Sequence, residues 1–104
     1  MNHSDNQARR RIVVLGGGES GTGAAILAND KGMDVWLSDF GKIAPKYKDM
    51  LDSEGIAWEK SGHSMDRILA ADEVVKSPGI PDSAPVMKAI LGKGIPVISE
   101  IEFA

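Results

Sequence analysis

Apolar and polar positions along the chain follow two repeating patterns, which predict strands alternating with helices. Short continuous apolar runs are typical of strands buried on both faces of a parallel sheet, and segments with apolar residues at helical spacing separate them. The predicted strands are Ile12–Leu15, Val35–Ser38, Ile56–Glu59, Glu73–Lys76 and Ile95–Ile98. The predicted helices are Gly21–Lys31, Ala44 to about Ser53, Met65–Ala71 and Ala84–Leu91.

Residues that favour helix boundaries stand near the ends of these helices. Gly32 is placed to stop the first helix, and Pro45 is acceptable in the first turn of the second. Ser64 and Ser83 are predicted to cap the third and fourth helices with their hydroxyl groups. Gly92 and Gly94 are predicted to end the fourth helix, just before the last predicted strand.

The alternation predicts an α/β fold: a Rossmann-like, five-stranded parallel sheet of order 3-2-1-4-5 with helices on both faces. In such sheets ligands bind outside the carboxyl ends of the strands, where the winding direction reverses. Here the reversal falls between the first and fourth strands. The loops Gly16–Gly21 and Ser77–Pro81 meet there, with Asp39 and Phe40 beside them.

The composition indicates which classes of partner the protein binds and in which compartment it resides. The chain has 104 residues, 42% of them hydrophobic, and a net charge of −3, which gives no electrostatic reason to bind nucleic acid or a membrane. No stretch approaches the roughly 18 apolar residues of a membrane helix, and we do not expect the polar start to act as a signal peptide, because no apolar run follows it. The absence of cysteine excludes disulfides and thiolate metal sites. We therefore expect a cytoplasmic protein without nucleic-acid or membrane partners.

The polar N-terminal residues and the last five residues of the chain suggest the boundaries of the domain. We expect residues 1–11 to be a disordered lead-in, residues 12–99 to form the domain, and residues 100–104 to begin a linker. Ile101 and Phe103 have no evident apolar partner in the sequence. We therefore expect the natural protein to continue beyond Ala104.

The stretch "VVLGGGESGTGAA", residues 13–25, has the Gly16-x-Gly18-x-x-Gly21 spacing of a nucleotide-binding loop. Its glycines permit a tight turn and close approach of the backbone to a phosphate, and the following helix offers free N–H groups to an anion. A plain turn is the alternative. No Lys-Ser/Thr follows the glycines, so the loop is not an ATP-binding P-loop. We expect Glu19 to take part through its backbone N–H, with its side chain turned away.

Two other positions favour a ligand at the same edge of the sheet. Asp39 lies 18 residues after Gly21, near the place of an acid that binds ribose hydroxyls or the N–H donors of a base. An ordinary acid after a strand is the alternative. In Ser77–Pro81, two prolines stiffen the loop and Gly79 permits close approach, although a plain turn also explains a Pro-Gly pair.

The remaining chemically capable residues predict no catalytic or metal site. We interpret His63 as a loop or surface residue, since it has no partner at metal-ligand spacing. Trp36 and Trp58 lie in predicted strands and are interpreted as packing residues. No Ser/His/Asp set and no carboxylate pair is apparent.

Four segments together make the chain resemble the N-terminal domain of the Mur ligases. They are "VVLGGGESGTGAA", "VWLSDF", "ADEVVKSPGIP" and "GIPVISEIEFA", which span nearly all of residues 12–104. Within the family the resemblance is greatest to the enzymes that add D-glutamate to UDP-N-acetylmuramoyl-L-alanine. It implies that this domain holds the UDP end of that substrate, while central and C-terminal domains of the same chain carry the ATP- and magnesium-dependent chemistry. The domain alone is then expected to bind without catalysing.

The resemblance also implies roles for particular residues. The diphosphate would lie at the helix N-terminus, the uracil after the second strand, and the rest of the uridine beside the fourth. The matching residues are Gly18, Glu19, Ser20 and Gly21, then Asp39 and Phe40, then Ser77, Pro78 and Gly79. Some family members have a basic residue where this chain has Phe40-Gly41, so an aromatic ring could stack on uracil here instead.

Two other functions remain open from the residues alone. The glycine loop and Asp39 also fit the NAD(H)-binding domain of an oxidoreductase. A ligand-sensing regulatory domain without enzymatic activity is the third possibility. For the loop itself, we expect Gly21→Asp to abolish UDP binding while the fold is kept, because a negative charge would face the phosphate.

Overall fold

Five parallel strands form one sheet in the order β3-β2-β1-β4-β5, which confirms the predicted fold class and strand order. The computed structural model describes residues 9–103. The strands are β1 Arg11–Leu15, β2 Asp34–Ser38, β3 Ala57–Glu59, β4 Glu73–Lys76 and β5 Val97–Ser99. The helices are α1 Glu19–Asp30, α2 Pro45–Ser53, α3 Met65–Ile68, α4 Pro85–Lys93 and α5 Glu100–Phe103.

Apolar side chains of β1 divide between two cores, one on each face of the sheet. Ile12 and Val14 pack with apolar residues of α1 and α2, while Val13 and Leu15 pack with those of α3 and α4. These four side chains are buried, because successive residues of a strand point to opposite faces and helices cover both. The continuous apolar run of this strand is therefore explained.

Two glycines end helices as the sequence predicts, whereas Gly92, also predicted to end the fourth helix, lies within α4. Gly32, with φ of 82°, follows the last turn of α1, and Gly94, with φ of 80°, caps α4. A positive φ is unfavourable for residues with a Cβ atom, so glycine is preferred at such helix ends. α1 itself begins at Glu19, two residues earlier than predicted from the apolar pattern.

The two serines predicted as helix caps have different outcomes. Ser64 occupies the N-cap position of α3 as predicted, but its hydroxyl donates to Glu59 Oε1 at 2.6 Å and makes no capping bond to the helix. Ser83 is not adjacent to α4, since the capping position is Ala84 and Pro85 opens the helix. Proline is well suited to this first position because its missing N–H would have no helical partner.

The third helix and the fifth strand also differ from their predicted bounds. α3 ends at Ile68 and not at Ala71, because the chain turns there to enter β4. β5 begins at Val97 and not at Ile95. Pro96 has no N–H to donate, but its carbonyl accepts the N–H of Val74 at 2.9 Å, which aligns the next residues with β4.

Both ends of the described chain are held against the domain. Arg9 donates to the carbonyl oxygens of Gly32 and Met33, at 3.1 and 3.0 Å, while residues 1–8 of the expected lead-in lie outside the described residues. α5 follows β5 directly, and Phe103 packs on the same core as α1, so the expectation that it lacks a partner is wrong. The side chain of Ile101 lies outside the described part. No helix within residues 9–103 has the length and apolar character needed to cross a membrane.

Candidate functional site

A pocket of about 640 Å³ opens at the carboxyl ends of the strands, where β1 and β4 lie side by side and the winding reverses. Loops from after β1, β2, β3 and β4 form its wall. The lining residues are Gly16, Gly17, Gly18, Asp39, Phe40, His63, Met65, Ser77, Gly79, Ile80, Pro81, Ala84, Pro85 and Val86. Of the predicted site residues, Gly18, Asp39, Phe40, Ser77 and Gly79 are in this wall, whereas Glu19, Ser20, Gly21 and Pro78 lie outside it.

The glycine loop carries the chain from β1 into α1 over one side of the pocket. Gly16 has φ of 112° and donates its N–H to the carbonyl of Ser38 at 2.9 Å, which fixes the turn. Gly18 precedes α1, and no side chain caps the helix. Because the first N–H groups of a helix have no internal acceptor, those of Glu19, Ser20 and Gly21 remain available to an anion at the edge of the pocket.

Gly21 has a packing role within α1. A Cβ atom placed there would lie 1.8 Å from the carbonyl oxygen of Gly16 and 3.1 Å from Glu100 Oε2. The glycine therefore permits the close contact between helix and strand that the motif predicts. The expectation that Gly21→Asp would keep the fold is wrong, because any side chain would collide with backbone.

Asp39 shapes the loops around the pocket. Its Oδ2 accepts the N–H of Gly17 at 2.7 Å, and its Oδ1 accepts the N–H of Gly41 at 2.8 Å. Both carboxylate oxygens therefore bind backbone of the protein itself. Asp39 lies at the pocket as the sequence predicts, but it also supports the glycine loop.

Phe40 and His63 form an aromatic wall of the pocket. The Phe40 side chain is 76% exposed, and its ring centroid lies 5.8 Å from that of His63 with the ring planes tilted by 40°. An exposed aromatic ring beside a pocket offers a flat apolar surface to a planar ligand.

His63 is the site residue that the sequence interpretation missed. Its Nδ1 lies 2.6 Å from Ser38 Oγ, and Ser38 Oγ lies 2.8 Å from Glu59 Oε2. Glu59 ends β3 and Ser38 ends β2, so neighbouring parallel strands bring the two side chains together. A polar residue at the end of β3, followed by a histidine in the next loop, was the available signal.

Hydrogen bonds hold Glu59 in its ionised form. Partial burial alone would raise the pKa of Glu59, but donors from Ser64, Ser38 and Trp36 outweigh it and lower that pKa below its ordinary value. Burial lowers the pKa of His63, against the attraction of the Glu59 and Asp39 carboxylates. At neutral pH the group is therefore a carboxylate next to a serine and a neutral imidazole.

The loop after β4 forms hydrogen bonds with the sheet and within itself. Ser77 donates its N–H to the Leu15 carbonyl at 3.1 Å, and Lys76 Nζ donates to the Ile80 carbonyl at 2.6 Å. Gly79 lines the pocket, whereas Pro78 is exposed outside it. These bonds hold Ser77 and Gly79 opposite the glycine loop.

Glu100 is a buried acid beneath the glycine loop. It opens α5, and its side chain approaches Gly21. Burial raises the pKa of Glu100, and a hydrogen bond with Ser77 opposes that effect. Among the described residues, no group of three or more His, Asp or Glu side chains is arranged to hold a metal ion.

A glycine loop and an uncapped helix N-terminus at the switch point of a parallel sheet define a Rossmann-like ligand-binding domain. The sequence profile described as "Mur ligase MurD-like, N-terminal domain" matches residues 10–99. The chain belongs to this family.

The chain is similar in sequence and in structure to several ligases. It is 59% identical over 95 residues to the UDP-N-acetylmuramoylalanine--D-glutamate ligase of Bacteroides fragilis, a match that covers 91% of this chain and 21% of that protein. It is 57% identical over 93 residues to the ligase of the same name from Porphyromonas gingivalis, covering 89% and 21%. The structure of a pseudomurein peptide ligase type C from Methanothermus fervidus superposes with a TM-score of 0.78 at 33% identity, over 91% of this chain and 20% of that one. The chain thus spans about a fifth of these relatives.

Proposed function

We propose that this chain is the substrate-binding domain of a ligase that adds D-glutamate to UDP-N-acetylmuramoyl-L-alanine in peptidoglycan synthesis, and that it holds the UDP part. The observation that carries the proposal is the uncapped N-terminus of α1 at a pocket with an aromatic wall. An anionic diphosphate suits the helix N-terminus, and a planar base suits the wall. The names of the relatives supply the particular substrate.

In the proposed complex, the diphosphate lies against the backbone at the start of α1. The N–H groups of Glu19, Ser20 and Gly21 are the donors, next to Gly18. Glu19 is exposed, so its carboxylate can remain in solvent while its N–H faces the phosphate. The helix dipole adds a favourable interaction of about 0.3–1 kcal/mol with the anion.

The uridine occupies the rest of the pocket. Its uracil lies at Asp39 and Phe40, with the exposed Phe40 ring against the face of the base. Ser77, Pro78 and Gly79 lie along the uridine from the β4 side. Pro78 contributes by fixing the backbone of the loop, since it is not itself in the pocket wall.

ATP and magnesium belong, in this proposal, to other domains of a longer protein. The chain has no Gly-x-x-x-x-Gly-Lys-Ser/Thr sequence, so its own residues do not fit an ATP-binding P-loop. The chain spans 21% of the relative from Bacteroides fragilis, which leaves ample length for central and C-terminal domains there. We propose that the isolated domain binds substrate in the cytoplasm and is inactive without those domains.

The hydrogen bonds of Asp39 count against the NAD(H)-binding alternative. In that function the acid after the second strand binds the ribose hydroxyls. Here both oxygens of Asp39 already accept backbone N–H groups, from Gly17 and Gly41. A ribose diol would have to bind at the remaining lone pairs of two oxygens that already hold the glycine loop and the Gly41 backbone.

A ligand titration followed by amide NMR tests the proposal. UDP and UDP-N-acetylmuramoyl-L-alanine should shift the amide signals of Gly18–Gly21, Asp39 and Ser77, and NADH should shift none of them. Uridine monophosphate, which lacks the second phosphate, should bind more weakly than UDP. A response to NADH without a response to UDP would overturn the assignment.

A further inference from the structure

We propose that His63 selects the base by accepting its imide N–H at Nε2, which makes this histidine a specificity-determining residue for uracil. The inference rests on the proposed function, since it assumes that a UDP ligand occupies the pocket. It goes further by assigning a role to a side chain outside the residues that the motif identifies.

The proton of Ser38 determines which nitrogen of His63 is protonated. Ser38 Oγ lies 2.8 Å from Glu59 Oε2 and 3.3 Å from the Gly62 carbonyl oxygen. Glu59 is ionised and its Oε2 is nearer than the Gly62 carbonyl, so the single hydroxyl proton points to that carboxylate oxygen. Ser38 therefore cannot donate to His63 and accepts a proton from Nδ1 across 2.6 Å.

Glu59 makes this arrangement stable. Its carboxylate also accepts the N–H and hydroxyl of Ser64, both at 2.6 Å, and Trp36 Nε1 at 3.3 Å. With four donors directed at it, Glu59 stays ionised and cannot itself supply a proton to Ser38. The order of donation is thus fixed from His63 to Ser38 to Glu59.

A neutral imidazole with its proton on Nδ1 has a lone pair on Nε2. Burial keeps the pKa of His63 below its ordinary value, which favours this neutral form. Within residues 9–103 no group donates to Nε2, while His63 is part of the pocket wall. Among the described residues no buried side-chain nitrogen lacks a partner, so the unpaired Nε2 is accessible, on a residue that lines the pocket beside the Phe40 ring.

Uracil offers the matching group. Its N3–H is a donor in the plane of the ring, so a base lying along Phe40 can direct this edge to His63. A base with a methyl group at N3 offers no donor there. One hydrogen bond of this kind is expected to change affinity by about five- to tenfold.

The experiment compares UDP with N3-methyl-UDP by calorimetry on the 104-residue chain and two variants. The unsubstituted chain should prefer UDP about five- to tenfold. His63→Phe keeps an aromatic ring and should bind both ligands about equally. Phe40→Leu is the matched control: it should weaken both ligands and keep the preference.

A ¹⁵N NMR spectrum of His63 gives a second readout that needs no variant. It should show the proton on Nδ1, and Nε2 should shift when UDP is added but not when N3-methyl-UDP is added. Equal binding of both ligands to the unsubstituted chain, an unchanged preference in His63→Phe, or a proton on Nε2 would overturn the role of His63 while UDP binding stands. Failure to bind UDP at all would overturn the proposed function as well.

Discussion

The carboxylate of Asp39 accepts the N–H of Gly17 at 2.7 Å, so the end of β2 directly supports the glycine loop after β1. Its other oxygen accepts the N–H of Gly41 at 2.8 Å. One side chain thus links the loop after β1 to the loop after β2.

Asp39→Ala should destabilise the domain by about 1–3 kcal/mol, because two backbone N–H groups lose their acceptor. Asp39→Asn retains one carbonyl oxygen as an acceptor, so its destabilisation should be about half that of Asp39→Ala. Urea denaturation gives the free energy of unfolding for each variant. Asp49→Ala, at an exposed acid of α2, is the control, and an equal effect at both positions would contradict the role of Asp39.

Gly21→Ala should destabilise the domain by about 3 kcal/mol or more, because its Cβ would lie 1.8 Å from the Gly16 carbonyl oxygen. Gly23→Ala is a control in the same helix, since nothing lies within 4 Å of a Cβ there. Alanine at Gly23 should stabilise α1 by about 0.5–1 kcal/mol. Thermal unfolding followed by circular dichroism compares the two, and similar melting temperatures would be inconsistent with the close contact.

Gly18→Val should separate binding from folding. A Cβ at Gly18 meets nothing within 4 Å, and its φ of −80° is open to any residue, so stability should stay within about 1 kcal/mol. The valine side chain would occupy space at the pocket where the diphosphate is proposed to lie. We expect at least about a tenfold loss of UDP affinity by calorimetry, the cost of one poorly accommodated group. A folded variant that retains full affinity would exclude diphosphate binding at this loop.

Glu100→Gln should change how stability depends on pH. Burial raises the folded-state pKa of Glu100 above 4.5, so the folded state holds its proton more tightly than the unfolded state. Stability from this group is therefore present below about pH 4.5 and is lost as pH rises through the folded-state pKa. Glu100→Gln removes that loss.

Urea denaturation across this pH window checks the sign. As pH rises, the free energy of unfolding of Glu100→Gln should increase relative to that of the unsubstituted chain. At the acidic end of the window the two free energies should differ little. Glu54→Gln, at an exposed position after α2, controls for the change in net charge. If Glu100→Gln stabilised the domain most at low pH, the result would contradict a raised pKa of Glu100 in the folded state.

The sheet order and the location of the site could be predicted because they follow from repeated signals. Buried runs such as Ile12–Leu15 identify central strands, and the right-handed crossover rule leaves few ways to arrange them. Gly18 and Asp39 could then be placed, since both follow such strands directly. The role of Gly21 in packing also follows from the motif, but the severity of the contact with Gly16 required coordinates.

His63 could not be placed because an irregular turn brings it back to the pocket. Ser61 has φ of 64° and donates its N–H to the Gly41 carbonyl at 2.7 Å, which folds the loop after β3 toward the loop after β2. Serine gives little sequence indication of a left-handed conformation, since non-glycine residues rarely adopt it. The failed cap at Ser64 has the same origin, because its hydroxyl binds Glu59 in this turn.

The position of β1 at the centre of the sheet has a consequence for the order of folding. β1 is synthesised before the other four strands of this sheet, but its N–H at Arg11 binds Asp72, 61 residues later, and β4 covers one of its edges. Closing so long a loop is slow compared with forming the local unit of β1, α1 and β2. A nascent chain that ends before Ser77 therefore has a glycine loop but no opposite wall, and the proposed nucleotide site is complete only when β4 joins the sheet.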